Sequence, residues 1–292
     1  MKNVSKQAPI GILAALPEEI EPFLEELQPG TLTAEGKESA HSSKSSPETD
    51  HKMGLRFHQG TYGGREAIMV CSGTGKVNAT VAAQILIDRF GVGSLLLSGI
   101  GGSLYPDAHP GDIIIGTELI HHDVGFYYGK EDFIPCGVRV CSPLPPLLSQ
   151  RVPVFHSDAG WVAAAFRAGE ELRKMGMVVH SGPIVTGEHV VFSNDKKQWL
   201  RETFQALAVE MEGAAVAQTA YLNGLPVLIV RAISDHSDEK AMKNREIVEQ
   251  LARAVHPGTV IQNNPALRER LVLAARNAAL LMKKAIEHHE LP

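Results

Sequence analysis

Eight residues at 226–233, PVLIVRAI, form an almost uninterrupted apolar run that stops abruptly at Ser234-Asp235. A strand that is apolar at nearly every position is covered on both faces, whereas a strand with one wet face alternates. Shorter strand-like runs lie at 9–15, 55–62, 66–71, 94–98, 112–116, 177–185 and 206–210. Between them come glycine-rich turns and stretches of helical period at 17–27, 77–89, 159–175, 213–222 and 264–288. This alternation predicts an α/β fold with a largely parallel or mixed sheet.

Two polar segments, at about 28–52 and 236–263, interrupt the pattern and read as insertions in a single domain spanning 1–292. The first is rich in Ser, Glu, Lys and Gly and is expected to be a solvated loop. The stretch from Phe126 to about Val154 has no clean period and is expected to be irregular. No internal repeat at a fixed period is visible.

With 44% hydrophobic and 21% charged residues, the 292-residue chain can bury a full core. A net charge of -5 gives no general attraction to nucleic acid or to an anionic membrane. Cys71, Cys136 and Cys141 have neither CxxC nor Cys/His ligand spacing, which disfavours a disulfide framework and a structural zinc site and suits a reducing cytoplasm. The apolar run near the N-terminus is too short to span a membrane and lacks a cleavage motif.

Three acidic motifs stand where the chain leaves strands: Glu18-Glu19, Glu210-Met211-Glu212 and Ser234-Asp235. In open α/β sheets that edge is where ligand crevices form. Pro17 suits the first turn of a helix and places Glu19 at its start. Asp235, ending a buried strand, is expected to open into a partly desolvated crevice that favours a proton donor, although a strand-end aspartate can equally cap the following turn. A carboxylate of the 210–212 motif could accept hydrogen bonds from vicinal sugar hydroxyls; it could also be a simple helix N-terminal acid.

Two glycine-rich stretches, 72–76 and 99–102 with Ile100 and Gly101 at its centre, read as turns whose amides could approach a ligand. Neither matches a dinucleotide fingerprint or a P-loop. His121-His122-Asp123 lacks an i, i+4 pair or a Cys partner, so no metal is expected there, and no G-x-S-x-G elbow marks a serine hydrolase.

Taken together, GILAALPEE at 11–19, SGTGKVNAT at 72–80, SGIGGSL at 98–104, PGDIII at 110–115, AVEMEGAA at 208–215 and VRAISD at 230–235 resemble the purine nucleoside phosphorylase and nucleosidase superfamily. Within it the likeness is to the 5'-methylthioadenosine/S-adenosylhomocysteine nucleosidases. The resemblance implies a three-layer α/β/α sandwich with a twisted mixed sheet, a homodimer, no cofactor and a small purine nucleoside as the bound partner. It also implies roles. Glu19 activates the attacking water, and Asp235, oriented by Ser234, protonates N7 of the leaving purine. Glu212 binds the ribose hydroxyls beside Met211, and Arg231 sits near the acidic cluster with Glu210.

The chain departs from the family pattern at Ile100, where a small polar residue is usual, and at Val190, where an aromatic usually stacks on the purine. Val191 next to it would supply backbone contacts. A fixed anion at Glu19 disfavours phosphate as nucleophile, so hydrolysis is expected over phosphorolysis. Action on another purine nucleoside, or non-enzymatic nucleoside binding, remain open on the sequence.

Overall fold

A computed structural model describes residues 8–29, 48–52, 54–128, 132–141, 149–235, 249, 253 and 265–290. In chain order its elements begin with β1 (Ile10–Ala14), α1 (Pro17–Glu26), β2 (Glu48–Lys52), β3 (Leu55–Tyr62), β4 (Arg65–Cys71), α2 (Lys76–Phe90) and β5 (Ser94–Ser103). There follow β6 (Ile113–His121), β7 (Gly125–Tyr128), β8 (Asp132–Pro135), β9 (Val138–Cys141), β10 (Ser149–Val152) and β11 (Phe155–His156). The remainder comprises α3 (Ala159–Lys174), β12 (Val179–Thr186), α4 (Asn194–Phe204), β13 (Ala208–Glu210), α5 (Gly213–Asn223), β14 (Val227–Asp235) and α6 (Pro265–His288).

The main sheet runs β11-β6-β12-β13-β5-β1-β4-β3-β2, and β14 pairs with both β5 and β6. Strands β6, β12, β13, β5 and β14 therefore form a closed circuit, and the rest of the sheet extends from β5. It is mixed: β1, β4, β5 and β14 are parallel, whereas β2, β3 and the β14–β6 and β13–β5 contacts are antiparallel.

Alternation along the strands sends side chains to two cores, one on each face. Ile12, Leu96, Leu228 and Val230 pack with Phe23 of α1, Trp161 of α3 and Met282 of α6. Leu13, Leu95, Leu97 and Ile229 pack with Ala82 and Leu86 of α2 and Ala217 of α5. The expected three-layer α/β/α arrangement is thus present. Each large aliphatic side chain so buried contributes about 1.5–3 kcal/mol, and β14 is buried at every position from Val227 to Ser234.

Three expectations change. The segment taken as loop at 28–52 contributes β2, which pairs with β3, and Gln28 bridges Thr61. An edge strand is held by backbone hydrogen bonds to one neighbour and needs no apolar alternation to reveal it. The irregular stretch at 126–154 contains two hairpins, β7–β8 and β9–β10. The run at 99–102 is not a turn but the second half of β5, paired with β14 from Gly99 to Gly102. Helix α4, capped by the Ser193 hydroxyl accepting from Lys196 N, has an apolar pattern too sparse to read from its sequence. Nearly all of the 236–263 insertion lies outside the described residues.

Candidate active site

Because β1, β5 and β14 are mutually parallel, the ends from which Glu19 and Asp235 emerge lie at the same end of the sheet, on either side of β5. Pro17 occupies the first turn of α1, and Glu19 folds back over that helix start. Its Oε2 accepts from Ala15 N at 2.7 Å and Leu16 N at 2.9 Å, and its Oε1 accepts from Ile100 N at 2.8 Å. The carboxyl is buried, and burial raises its proton affinity above the ordinary glutamate range against the opposing pull of Arg231 and the three amides. Burial therefore makes Glu19 a stronger proton acceptor than an ordinary glutamate.

Arg231 is the one charged side chain in β14 ahead of Asp235, and it is fully buried. Its Nη2 donates to Glu210 Oε2 and, at 3.0 Å, to Glu212 Oε2. Its Nη1 lies 3.8 Å from Glu19 Oε1, beyond hydrogen-bonding reach. Three carboxylates thus surround one guanidinium, leaving a site of negative character. Such a site favours a cationic transition state and disfavours an anionic nucleophile.

The two outer residues of the 210–212 motif divide their duties. Glu210 accepts from the backbone of Glu212 at 2.9 Å and Gly213 at 2.7 Å, from the Thr186 hydroxyl and from Arg231. Its carboxylate caps α5 and is saturated by protein donors, so the expectation that it contacts a substrate is corrected to a supporting place in the cluster. Glu212 is different: Oε1 accepts from Gly75 N at 2.7 Å, in the turn before α2, and Oε2 from Arg231. Burial, with Arg231 opposing and Glu210 and Glu19 reinforcing, pushes its carboxyl up to about 7. Met211 between them is half-buried.

Asp235 is half-buried at the end of β14, just past an irregularity in the β14–β5 register. The Ser234 hydroxyl donates to its Oδ2 at 2.7 Å, which fixes the carboxyl's orientation. Ile100 contributes its backbone amide to Glu19, while its side chain packs into the core. Gly101 is paired with Ile233, and a Cβ there would lie 3.2 Å from Val209 O.

Val190 and Val191 stand apart. Val190 is exposed and Val191 buried, and both line a cavity of about 500 Å³ with His122, Tyr127, Phe133 and Lys196. None of the cavity's lining residues is Glu19, Glu212 or Asp235. Asp123, also in its wall, pairs with Lys76 at 2.7 Å, and His121 Nε2 lies 3.1 Å from Gln218 Oε1. Burial pushes both His121 and His122 down to about 4, so these imidazoles are neutral at pH 7. Sequence reasoning missed Thr186 and Gly75, a hydroxyl and a backbone amide whose importance depends wholly on what folds against them.

The fold and this cluster define a member of the phosphorylase superfamily, and the chain belongs to it: the family's model matches residues 9–259. The chain is 33% identical over 246 residues to the aminodeoxyfutalosine nucleosidase of Helicobacter pylori J99, covering 83% of this chain and 93% of that one. It is 34% identical over 193 residues to the 5'-methylthioadenosine/S-adenosylhomocysteine nucleosidase of Exiguobacterium sp., covering 63% and 74%. Among solved structures it resembles the Neisseria meningitidis 5'-methylthioadenosine/S-adenosylhomocysteine nucleosidase in complex with methylthio-immucillin-A, with a TM-score of 0.71, 27% identity and coverage of 95% and 98%.

Proposed function

We propose that the Glu19–Asp235 end of the sheet hydrolyses the N-glycosidic bond of an adenine nucleoside bearing a 5' substituent, with 5'-methylthioadenosine and S-adenosylhomocysteine as the leading substrates. The protein is a purine nucleosidase, in keeping with relatives that are nucleosidases along most of its length. The observation that carries the mechanism is the buried Glu19 carboxylate, held by three amides and left outside the hydrogen bonds of Arg231.

Bond cleavage leaves positive charge on the sugar and negative charge on the base. Asp235, oriented by Ser234, protonates N7 of the purine as the bond breaks. Glu19 takes a proton from the water that attacks the anomeric carbon, a division of labour like that of paired carboxylates in glycoside hydrolysis. Glu212 accepts from the ribose hydroxyls, and Met211 packs beside the sugar. Neither a metal nor a cofactor is required by this scheme.

Aminodeoxyfutalosine is the second substrate reading, because a relative named for that nucleoside covers the larger share of this chain. A homodimer is also proposed. The β7–β8 hairpin exposes Phe126, Tyr127, Tyr128 and Ile134, an apolar group suited to burial against a second copy. No helix among the described residues is long and apolar enough to cross a membrane. The free thiols of Cys71, Cys136 and Cys141 support a cytoplasmic location.

The test is to incubate the purified protein with methylthioadenosine, S-adenosylhomocysteine, aminodeoxyfutalosine, adenosine and inosine, with and without phosphate, and to follow the free base by chromatography. Phosphate-independent release of adenine is expected, and the relative rates name the 5' group preferred. Release that depends on phosphate would overturn hydrolysis, and no release from folded protein would overturn the enzymatic reading.

A further inference from the structure

We propose that Glu210, locked in place by Thr186, is a positioning residue that holds Arg231 away from Glu19 and thereby preserves Glu19 as a proton acceptor; this rests on the reading of Glu19 as the general base. Thr186 is fully buried at the end of β12 and has no part in the chemistry described above. Its oxygen accepts from Ala214 N at 2.8 Å, so its single hydrogen is directed to Glu210 Oε1. Glu210 Oε2 receives two backbone amides and Arg231 Nη2. A carboxyl ringed by four donors and no acceptor is satisfied only as the anion. Glu210 is therefore a fixed negative charge anchored to the start of α5.

That anchor decides how Arg231 is shared. A buried guanidinium among three carboxylates could bond to any of them, but both of its hydrogen bonds leave from Nη2, to Glu210 and Glu212. Nη1 has no hydrogen-bond partner among the described residues and stops 3.8 Å from Glu19 Oε1. A shift of about 1 Å would turn that separation into a charge-assisted hydrogen bond, for which 2.7–2.9 Å is usual. Among the described residues, the other titratable groups coupled to Glu19 are Glu212 at the start of α5 and the Cys71 thiol at the end of β4. Glu212 is anionic when ionised and the thiol is neutral, so among the described residues Arg231 is the cation able to weaken Glu19 as a base.

The experiment is a carboxyl ¹³C NMR titration of protein labelled at glutamate, with the Glu19 signal assigned by its loss in Glu19→Gln, alongside the pH profile of kcat/KM. In Glu210→Gln the guanidinium loses its anchor, and the Glu19 midpoint is expected to fall by about one pH unit or more. The acid limb of kcat/KM should move with it. Thr186→Val, which removes only the hydroxyl, should move the midpoint in the same direction by less, and Thr186→Ser should restore the wild-type value. Should Glu210→Gln fail to fold, the Thr186 pair decides alone. A Glu19 midpoint that stays put or rises in folded Glu210→Gln or Thr186→Val overturns the proposal; Thr186→Val is the deciding arm, because it removes no charge, whereas Glu210→Gln also lowers the midpoint by removing a nearby anion. A wild type that releases no base refutes the general-base reading by a separate measurement, so the two failures are told apart.

Discussion

Gly99 stands opposite Arg231 on the neighbouring strand, and a Cβ at Gly99 would lie 2.2 Å from Arg231 Nη1 and 2.5 Å from Glu19 Oε1. The missing side chain is what allows a buried carboxyl and a buried guanidinium to face each other across β5. Gly99→Ala must displace one of them from a packed, fully buried position. It is expected to abolish base release and to lower stability by about 1–3 kcal/mol in urea denaturation. A fully active Gly99→Ala enzyme would show that the cluster tolerates rearrangement.

Glu19→Gln and Asp235→Asn keep size and hydrogen-bonding shape while removing the proposed proton acceptor and proton donor. Each is expected to lower kcat by roughly 10²- to 10⁴-fold, with KM changed far less. Steady-state kinetics on the preferred nucleoside decides this. If KM rises while kcat holds, the residue binds and does not react.

The pH dependence of Glu212 runs in opposite directions for binding and for stability. Burial pushes its carboxyl up to about 7, so as the proposed acceptor of the sugar hydroxyls it should bind best above that pH, and KM should rise as pH falls below it. For folding, a carboxyl raised from 4.5 to about 7 contributes stability that is fully present below 4.5 and is lost as pH rises through 7. Glu212→Gln should flatten both profiles between pH 5 and 8 and bind substrate weakly throughout. An unchanged KM profile in the variant would remove Glu212 from the binding role.

His121 and His122 carry the opposite sign. Depressed from 6.5 to about 4, they contribute stability that is complete above 6.5 and is lost as pH falls through 4. Between those limits His122→Asn should lose on the order of 2 kcal/mol less than the wild type in pH-dependent urea unfolding. Parallel curves for the two proteins would mean that the proton affinity of His122 does not change on folding.

Much of the architecture was legible because burial leaves a local trace. The run 226–233 predicted a strand covered on both faces, and β14 is buried from Val227 to Ser234. Pro17 marked the start of α1, with Glu19 in its first turn. Where the trace was absent the reading failed. Strand β2 is held by backbone bonds to β3, and the glycines at 99–102 read as a turn because their use in a strand depends on Arg231 and Glu19 arriving from elsewhere.

By itself, then, the sequence determined the alternation of strands and helices, the two-sided burial of the central strand and the presence of acidic residues at strand ends. These follow from hydrophobic period and chain stereochemistry over a few neighbouring residues. Only the tertiary structure decided which partners each carboxylate meets. Glu210 and Glu212 are two residues apart and chemically identical, yet Thr186 and the α5 amides saturate the first while the second reaches Gly75, 137 positions away. Partners so distant in the chain are brought together by strand order and register, and the proton affinity of a buried carboxyl is set by those partners and by the water that packing excludes.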